Sequence, residues 1–181
     1  MTAQGSHPIG PDSGSLVLRT TRQGLATKVG HDLTIEVTRW SGTVTVGADP
    51  AASGIDVSAE TGSLNVLRGT GGLKPLSDGD KQEIRNNAAK VLGADRSPTA
   101  RFVATSADLD ADGGGTVTGT LTLRDVSRDL TLTITPLGDN RFRATGTVVQ
   151  TEFGIKPYSA FLGALKLADK VTVEAEVTLP G

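Results

Sequence analysis

The feature of this sequence that most constrains its fold is a repeated alternation of apolar and polar residues. In the segment 116–123, aliphatic residues and glycine alternate with four threonines, and the segments 128–136 and 171–179 repeat the pattern. Successive side chains of a β-strand point to opposite faces, so a period of two predicts strands with one buried face and one solvent-facing face. These three segments are therefore predicted to be half-buried β-strands.

Weaker alternation predicts further strands, and turn-forming residues separate them. The additional segments are 15–21, 32–39, 43–46, 54–60, 99–107 and 141–149, with a short strand at 25–29. Pairs such as Ser41-Gly42 and Asp49-Pro50 lie where tight turns are needed. Short connections between half-buried strands indicate an antiparallel sheet. We expect this sheet to close into a barrel rather than form a sandwich, because closure removes exposed strand edges.

Two segments interrupt the strand pattern. Between Ser77 and Leu92 the apolar residues recur at helical spacing, Asp80 follows Ser77 as in a capping box, and Gly93 provides a stop signal. This segment is predicted to be one inserted amphipathic helix. The segment 154–169 is unusually apolar for a connection. It has two interpretations, a short helical turn that completes the core or a helical lid over an opening of the barrel.

Composition bounds the class of protein. The chain has 181 residues, no cysteine, 18 basic and 20 acidic residues, and only six aromatic residues. Dispersed basic residues and few aromatic side chains argue against a nucleic-acid-binding protein, and the chain has no apolar run long enough for a transmembrane helix. We expect a flexible polar leader at 1–14 and a single barrel domain at 15–180. The leader lacks the pattern of a secretory signal, so this sequence indicates a cytoplasmic protein, or an exported one if a signal has been removed.

Catalytic and metal-binding patterns are weak. His31 and Asp32 are adjacent and would point to opposite faces of a strand, and no G-x-S-x-G motif occurs, so a catalytic triad is not indicated. Asp108, Asp110 and Asp112 lack the later glutamate of an EF-hand and are better explained as a solvated hairpin tip. We expect no enzymatic activity, no metal site and no required cofactor. His31 is either a turn residue that donates a local hydrogen bond or a polar group that contacts a ligand headgroup.

Three motifs in order resemble those of the YceI-like family. Residues 97–102 resemble its P-x-x-x-F strand entry, residues 119–128 its G-x-L-T-x-x-G-V-T hairpin, and residues 153–155 with 170–173 its closing F-G-I…V-x-I segment. Asp125 replaces the usual hairpin glycine, and residues 30–33 replace the usual His-Ser-x-x-x-F beginning. The resemblance implies a lipocalin-like, closed, eight-stranded antiparallel barrel with a long tunnel. It also implies polyisoprenoid ligands, such as a quinone tail or a prenyl phosphate, and export of many members to the periplasm.

The inward faces of the predicted strands carry several small residues, which leave room for a slender ligand. An empty apolar void is costly, at roughly 24 cal/mol per Å³, and a long apolar chain would remove that cost. The sequence therefore predicts a carrier of a polyisoprenoid, quinone or fatty-acid-like lipid that is a monomer or a homodimer. The alternative is an interaction or structural barrel with a filled core. Predicted lumen residues are Leu33, Ile35, Val37, Val44, Val46, Phe102, Ala104, Leu121, Leu123, Phe142, Ala144, Phe153, Phe161 and Leu165, and headgroup candidates at the mouth are His31, Arg68, Lys156 and Tyr158.

Overall fold

The protein is mostly β-structure with one helix, as a computed structural model that describes residues 2–181 shows. The strands are β1 (Gly5–Ile9), β2 (Gly14–Thr20), β3 (Arg22–Gln23), β4 (Asp32–Val37), β5 (Trp40–Val46), β6 (Gly54–Glu60), β7 (Leu64–Thr70), β8 (Thr99–Leu109), β9 (Gly115–Leu123), β10 (Val126–Gly138), β11 (Arg141–Val149), β12 (Ser159–Ala160), β13 (Leu165–Leu167) and β14 (Lys170–Thr178). The helix α1 spans Asp78–Leu92. Short 3₁₀ helices occupy Thr27–Val29, Pro50–Ala52, Gln150–Phe153 and Phe161–Gly163.

Eleven strands form one curled antiparallel sheet. Their order is β1-β5-β6-β8-β9-β10-β11-β14-β2-β4-β7, and a second sheet contains β12, β13 and β3. The three strands predicted from strict alternation correspond to β9, β10 and β14, and six others match β2, β4, β5, β6, β8 and β11. Alternation was a reliable signal because the inner face of each of these strands meets the protein interior while the outer face meets water.

The main sheet contains eleven strands instead of the predicted eight, because a corner divides two long strands. β4 leads into β5, and β6 leads into β7. The two bent strands that result pair with each other on both sides of the corner, through Val37 and Leu64 on one side and through Trp40 and Ala59 on the other. At this corner, residues 38–39 and 60–63, the Thr38 N–H donates to the Ser63 carbonyl oxygen at 2.7 Å. The two divisions, together with the added strand β1, raise the count from eight to eleven. The strand order has β1 and β7 at its two ends, and closure of the barrel stays a prediction.

The expectation of a flexible leader at residues 1–14 is corrected. Residues 5–9 form β1, which pairs with β5 along the edge of the sheet, and the side chains of His7 and Ile9 are buried. Pro8 is tolerated because an edge strand has one side without ladder hydrogen bonds. Gly, Ser and Pro are typical of loops, so composition concealed this strand. Met1 lies outside the described residues.

Two further segments differ from expectation. Residues 25–29 are not a strand, since Thr27–Val29 form a 3₁₀ turn. The glycine-rich stretch 62–72, whose composition is typical of a flexible connection, contains β7. Close packing favours glycine at position 69, because a Cβ atom there would lie 2.6 Å from Leu76 Cδ1.

The helix is confirmed with its capping residues. Ser77 Oγ accepts from the Asp80 N–H at 3.1 Å, Asp80 Oδ2 accepts from the Ser77 N–H at 2.8 Å, and Gly93 ends the helix with a φ of 63°. The first part of α1 packs through Ile84 against the buried cluster of Leu33, Ile35 and Val66. Its last turn packs through Val91 and Leu92 against the cluster that contains Leu123 and Phe153.

The apolar segment 154–169 is partly helical and partly extended. A 3₁₀ turn covers Phe161–Gly163, and β13 joins this segment to β3 through the pairs Lys166–Gln23 and Leu167–Arg22. The Ala26 N–H also donates to the Ala164 carbonyl oxygen at 2.9 Å. The segment is thus tied to the loop that follows β2.

Candidate ligand-binding cavity

A cavity of 1360 Å³ runs through the interior of the curled sheet. At one end it is bordered by three loops, residues 21–31, 71–76 and 155–168, which we call the loop end. At the other it is bordered by the turns 47–53, 110–114 and 138–140, which we call the hairpin end. The pairing of β11 with β14, and of β14 with β2, places these two groups at opposite ends of the same strands.

Most of the predicted lumen residues border this cavity. They are Leu33, Ile35, Val37, Val44, Val46, Phe102, Leu121, Leu123, Phe142, Ala144, Phe161 and Leu165, and the mouth candidates His31 and Tyr158 border it as well. Those that lie in β4, β5, β8, β9 and β11 share the inward parity of their strands, which is why the sequence could select them. Their contact with a ligand stays a prediction.

Four predicted site residues do not border the cavity. The Phe102 ring lies over Gly119, the pairing partner of Ala104, so Ala104 packs into a core cluster instead. Phe153 is buried beneath the last turn of α1. Arg68 and Lys156 are exposed on the outer surface. Parity identifies the face of a strand, but it does not show which inward residues meet open space.

Sequence reasoning missed the contribution of the helix and of the corner. Ile84, Ala88 and Val91 of α1 line the cavity, as do Trp40 next to the corner and Ile155 after the turn 150–153. The apolar stripe of α1 was a usable signal, because this stripe had to cover part of the barrel interior. Trp40 carried no such signal, since its position depends on the bend between β4 and β5.

Polar contacts at the loop end hold the loops 21–31 and 71–76 together. His31 Nε2 donates to the Lys74 carbonyl oxygen at 2.7 Å, and the His31 ring also lies against Gly72. The Asp32 carboxylate accepts from the Arg22 backbone N–H at 2.8 Å, while the Arg22 guanidinium donates to the Gly30 carbonyl. His31 is therefore engaged in a backbone hydrogen bond and not in a pair with Asp32.

The start of α1 brings one carboxylate to this end. Backbone and side-chain hydrogen bonds from Ser77 lower the pKa of Asp80 below its usual value, and the charges of His31 and Lys74 add to this effect. Asp80 is thus held in its ionised form as a helix cap. Its capping role accounts for its presence beside the cavity.

Among residues 2–181, no group of three or more His, Asp or Glu side chains is arranged to hold a metal ion. Within the same range, no helix combines the length and apolar character needed to cross a membrane.

Comparisons with known proteins agree with this architecture. A solved structure of Burkholderia cenocepacia BcnA is similar with a TM-score of 0.61 and 17% identity, covering 91% of this chain and 94% of that chain. A Campylobacter jejuni YCEI protein is similar with a TM-score of 0.57 and 18% identity, covering 79% and 81%. A mutant CJ YCEI protein with a monobromobimane guest shows the same values. No curated protein sequence matches the chain.

These structural similarities, at less than one-fifth identity, establish the fold alone. The model of the YceI-like domain matches residues 16–179, which is most of the sequence and includes every strand that surrounds the cavity except β1 and the first residues of β2. The chain therefore belongs to the YceI-like family.

Proposed function

We propose that this protein binds a long apolar molecule in its cavity and carries it without chemical change. The observation that carries the proposal is the 1360 Å³ cavity lined mainly by aliphatic side chains. Its volume exceeds the roughly 300–1,000 Å³ of typical small-molecule pockets. A filled-core interaction module, the alternative function, does not account for a cavity of this size.

The proposed ligand class is a polyisoprenoid, a quinone with an isoprenoid tail, or a fatty-acid-like lipid. A cavity that reaches both the loop end and the hairpin end suits an elongated molecule better than a compact one. Each buried CH₂ group contributes about 0.8 kcal/mol before the entropic cost of binding is subtracted. No cofactor is required for this function, and His31 contributes to the proposed site by joining two of its loops through the hydrogen bond to the Lys74 carbonyl.

The proposal includes a barrel that closes through the corner. If β4–β5 and β6–β7 are each counted as one bent strand, β2 pairs with the first, the first with the second, and the second with β8. The remaining pairs complete a circuit of eight strands. Such a circuit would leave no gap in the wall through which the ligand could leave sideways, and exchange would then occur at an end.

Thermal unfolding with and without geranylgeraniol tests the proposal. A ligand that binds only the folded state stabilises it by about 2.7 kcal/mol at a concentration of 100 Kd. For a chain of this size, that corresponds to an increase in Tm of roughly 5–10 °C. Native mass spectrometry of the protein as purified should also detect a bound lipid. Absence of both the shift and a co-purified lipid would contradict the proposal.

A further inference from the structure

The exposed apolar residues of this protein are concentrated at the loop end. Of eight large hydrophobic residues that are exposed in the described part of the chain, six lie in its three loops. Leu25 and Leu162 are fully exposed, at 99% and 109% of their reference areas. The others are Val29, Leu73, Tyr158 and Phe161. We call these six residues the apolar rim, and such a concentration marks an interaction surface.

The backbone of the rim holds two of these side chains in an unusual conformation. Phe161 and Leu162 have φ angles of 51° and 54°, in the left-handed region that non-glycine residues seldom occupy. Strain of this kind persists where the surrounding structure enforces it, and it occurs often at binding sites. Here the Ala164 N–H donates to the Phe161 carbonyl at 3.1 Å, and Ala164 also accepts from Ala26. The turn therefore holds Leu162 outward from the fold.

The three loops that carry the apolar rim contain basic but no acidic residues. Residues 21–31, 71–76 and 155–168 contain five basic residues and no aspartate or glutamate, although the whole chain has a net charge of −2. Asp32, Asp78, Asp80 and Asp169 flank these loops, and of these Asp32 accepts from Arg22 and Asp80 caps α1. The basic residues are Arg22, Lys28, Lys74, Lys156 and Lys166. Arg22 is paired with Asp32, but none of the four lysines is in an ion pair within residues 2–181.

Exposed aliphatic side chains surrounded by lysines are complementary to one kind of surface. The headgroup region of an anionic bilayer offers negative charge to the lysines and an acyl boundary to the leucines. We propose that the apolar rim docks on an anionic lipid membrane and places the loop-end opening of the cavity against it. The inference rests on the proposed function, because docking there would allow an apolar ligand to pass between bilayer and cavity without crossing water.

Sedimentation with vesicles tests the docking by itself, with no ligand added. The full chain should bind vesicles of phosphatidylcholine and phosphatidylglycerol in roughly equal parts. It should bind vesicles of phosphatidylcholine alone more weakly, and high salt should weaken binding to the anionic vesicles. Equal binding to both kinds of vesicle, or binding to neither, would overturn the proposal.

Two sets of substitutions separate docking from ligand binding, because the residues changed do not line the cavity. Lys28→Gln and Lys156→Gln should each lower the vesicle partition coefficient about fivefold. Leu25→Ser and Leu162→Ser should each lower it roughly tenfold. The matched controls are Lys90→Gln on α1 and Val103→Ser on the outer face of β8, which should leave partitioning unchanged. Loop-end variants that partition like the unsubstituted protein would contradict the assignment.

Sedimentation equilibrium distinguishes a second copy of the chain as the partner. A dimer that Leu162→Ser dissociates, together with no vesicle binding, would assign the apolar rim to self-association and overturn membrane docking. The geranylgeraniol experiment is independent of both results. A protein that binds vesicles but is not stabilised by geranylgeraniol would contradict the carrier function while leaving the docking surface intact.

Discussion

The loop end and the hairpin end border the same cavity, but they are built from opposite kinds of residue. The turns 47–53, 110–114 and 138–140 contain four aspartates and no basic residue, and none of their residues is an exposed large hydrophobic. The three loops at the other end contain the basic residues and the apolar rim. The two ends of the cavity are therefore not equivalent, although the same strands run between them.

Local structure explains the aspartates of the hairpin end. Asp49 caps a 3₁₀ turn by accepting from the Ala51 N–H at 3.0 Å, and Asp112 accepts from the Gly114 N–H at 3.0 Å. Asp139 has a φ of 52°, a conformation that Asp and Asn tolerate better than most residues. Tight turns thus account for these acids, whereas turn geometry does not account for Leu25 or Leu162 at the loop end.

The largest expected effect comes from dividing the cavity between its ends. Ala144 lines the cavity in β11, and Ala144→Trp should fill the passage. Because the added ring enters open space, the fold should persist. The apparent affinity for geranylgeraniol, measured through its stabilisation of the fold, should fall at least tenfold. Farnesol, which is shorter, should retain binding if one end alone can hold it. Thermal unfolding with each alcohol measures both effects.

Gly146 provides the matched control for this substitution. It lies on the same face of β11, but a Cβ atom there would lie 2.7 Å from Leu132 Cδ2. Gly146→Ala should therefore cost about 1–3 kcal/mol of stability through overpacking. If Ala144→Trp destabilised the protein as much as Gly146→Ala, the space beside Ala144 would not be open. That result would contradict a cavity that connects the loop end with the hairpin end.

A smaller effect is expected from acid titration at the hairpin end. Glu176 accepts from the Arg143 guanidinium at 2.6 Å and from Arg141 at 3.3 Å, and the Arg143 hydrogen bond lowers its pKa below the ordinary value of 4.5. The ionised form stabilises the folded state above that ordinary pKa, and this stabilisation is lost as pH falls through the lowered pKa. Glu176→Gln should make the free energy of unfolding fall less on acidification, by less than about 1 kcal/mol.

Urea unfolding between neutral pH and pH values below the ordinary pKa of Glu176 measures this effect. Arg143→Gln should reduce the acid dependence of the unfolding free energy in the same way. The double variant should differ little from either single variant, because both substitutions remove one shared interaction. Additive effects would show that Glu176 and Arg143 act separately.

The smallest effect is expected from neutralising the hairpin-end acids in the vesicle experiment. Asp110→Asn, Asp112→Asn and Asp139→Asn together should change partitioning by less than about twofold. The strand β10 runs between the two ends of the curled sheet and has 13 residues, at about 3.4 Å per residue. This distance is well beyond a Debye length of about 10 Å at 0.1 M salt. A change comparable to that of Lys28→Gln would show that overall charge, rather than the loop end, determines membrane binding.

Within the candidate site, parity in the sequence selected side chains correctly where the strands are regular. Leu33, Ile35, Leu121 and Leu123 line the cavity as their alternation indicated. Ala104 was misplaced next to a register shift between Ala104 and Ser106. Phe153 and Lys156 do not border the cavity, and they lie in a segment without the regular alternation that indicates which way a side chain points.

Local patterns in the sequence were enough to predict nine strands and the helix, because alternation, the Ser77–Asp80 capping box and the Gly93 stop act over a few residues. Motifs between residues 97 and 173 also indicated the family, and they lie within the range 16–179 that the family model matches. The folded structure was needed to show that β4 and β6 continue through a corner, that Ala144 meets open space while Gly146 is packed, and that three distant loops meet at one end. These features depend on the twist and register of the whole sheet, which bring residues far apart in the chain to the same end or the same wall of the cavity.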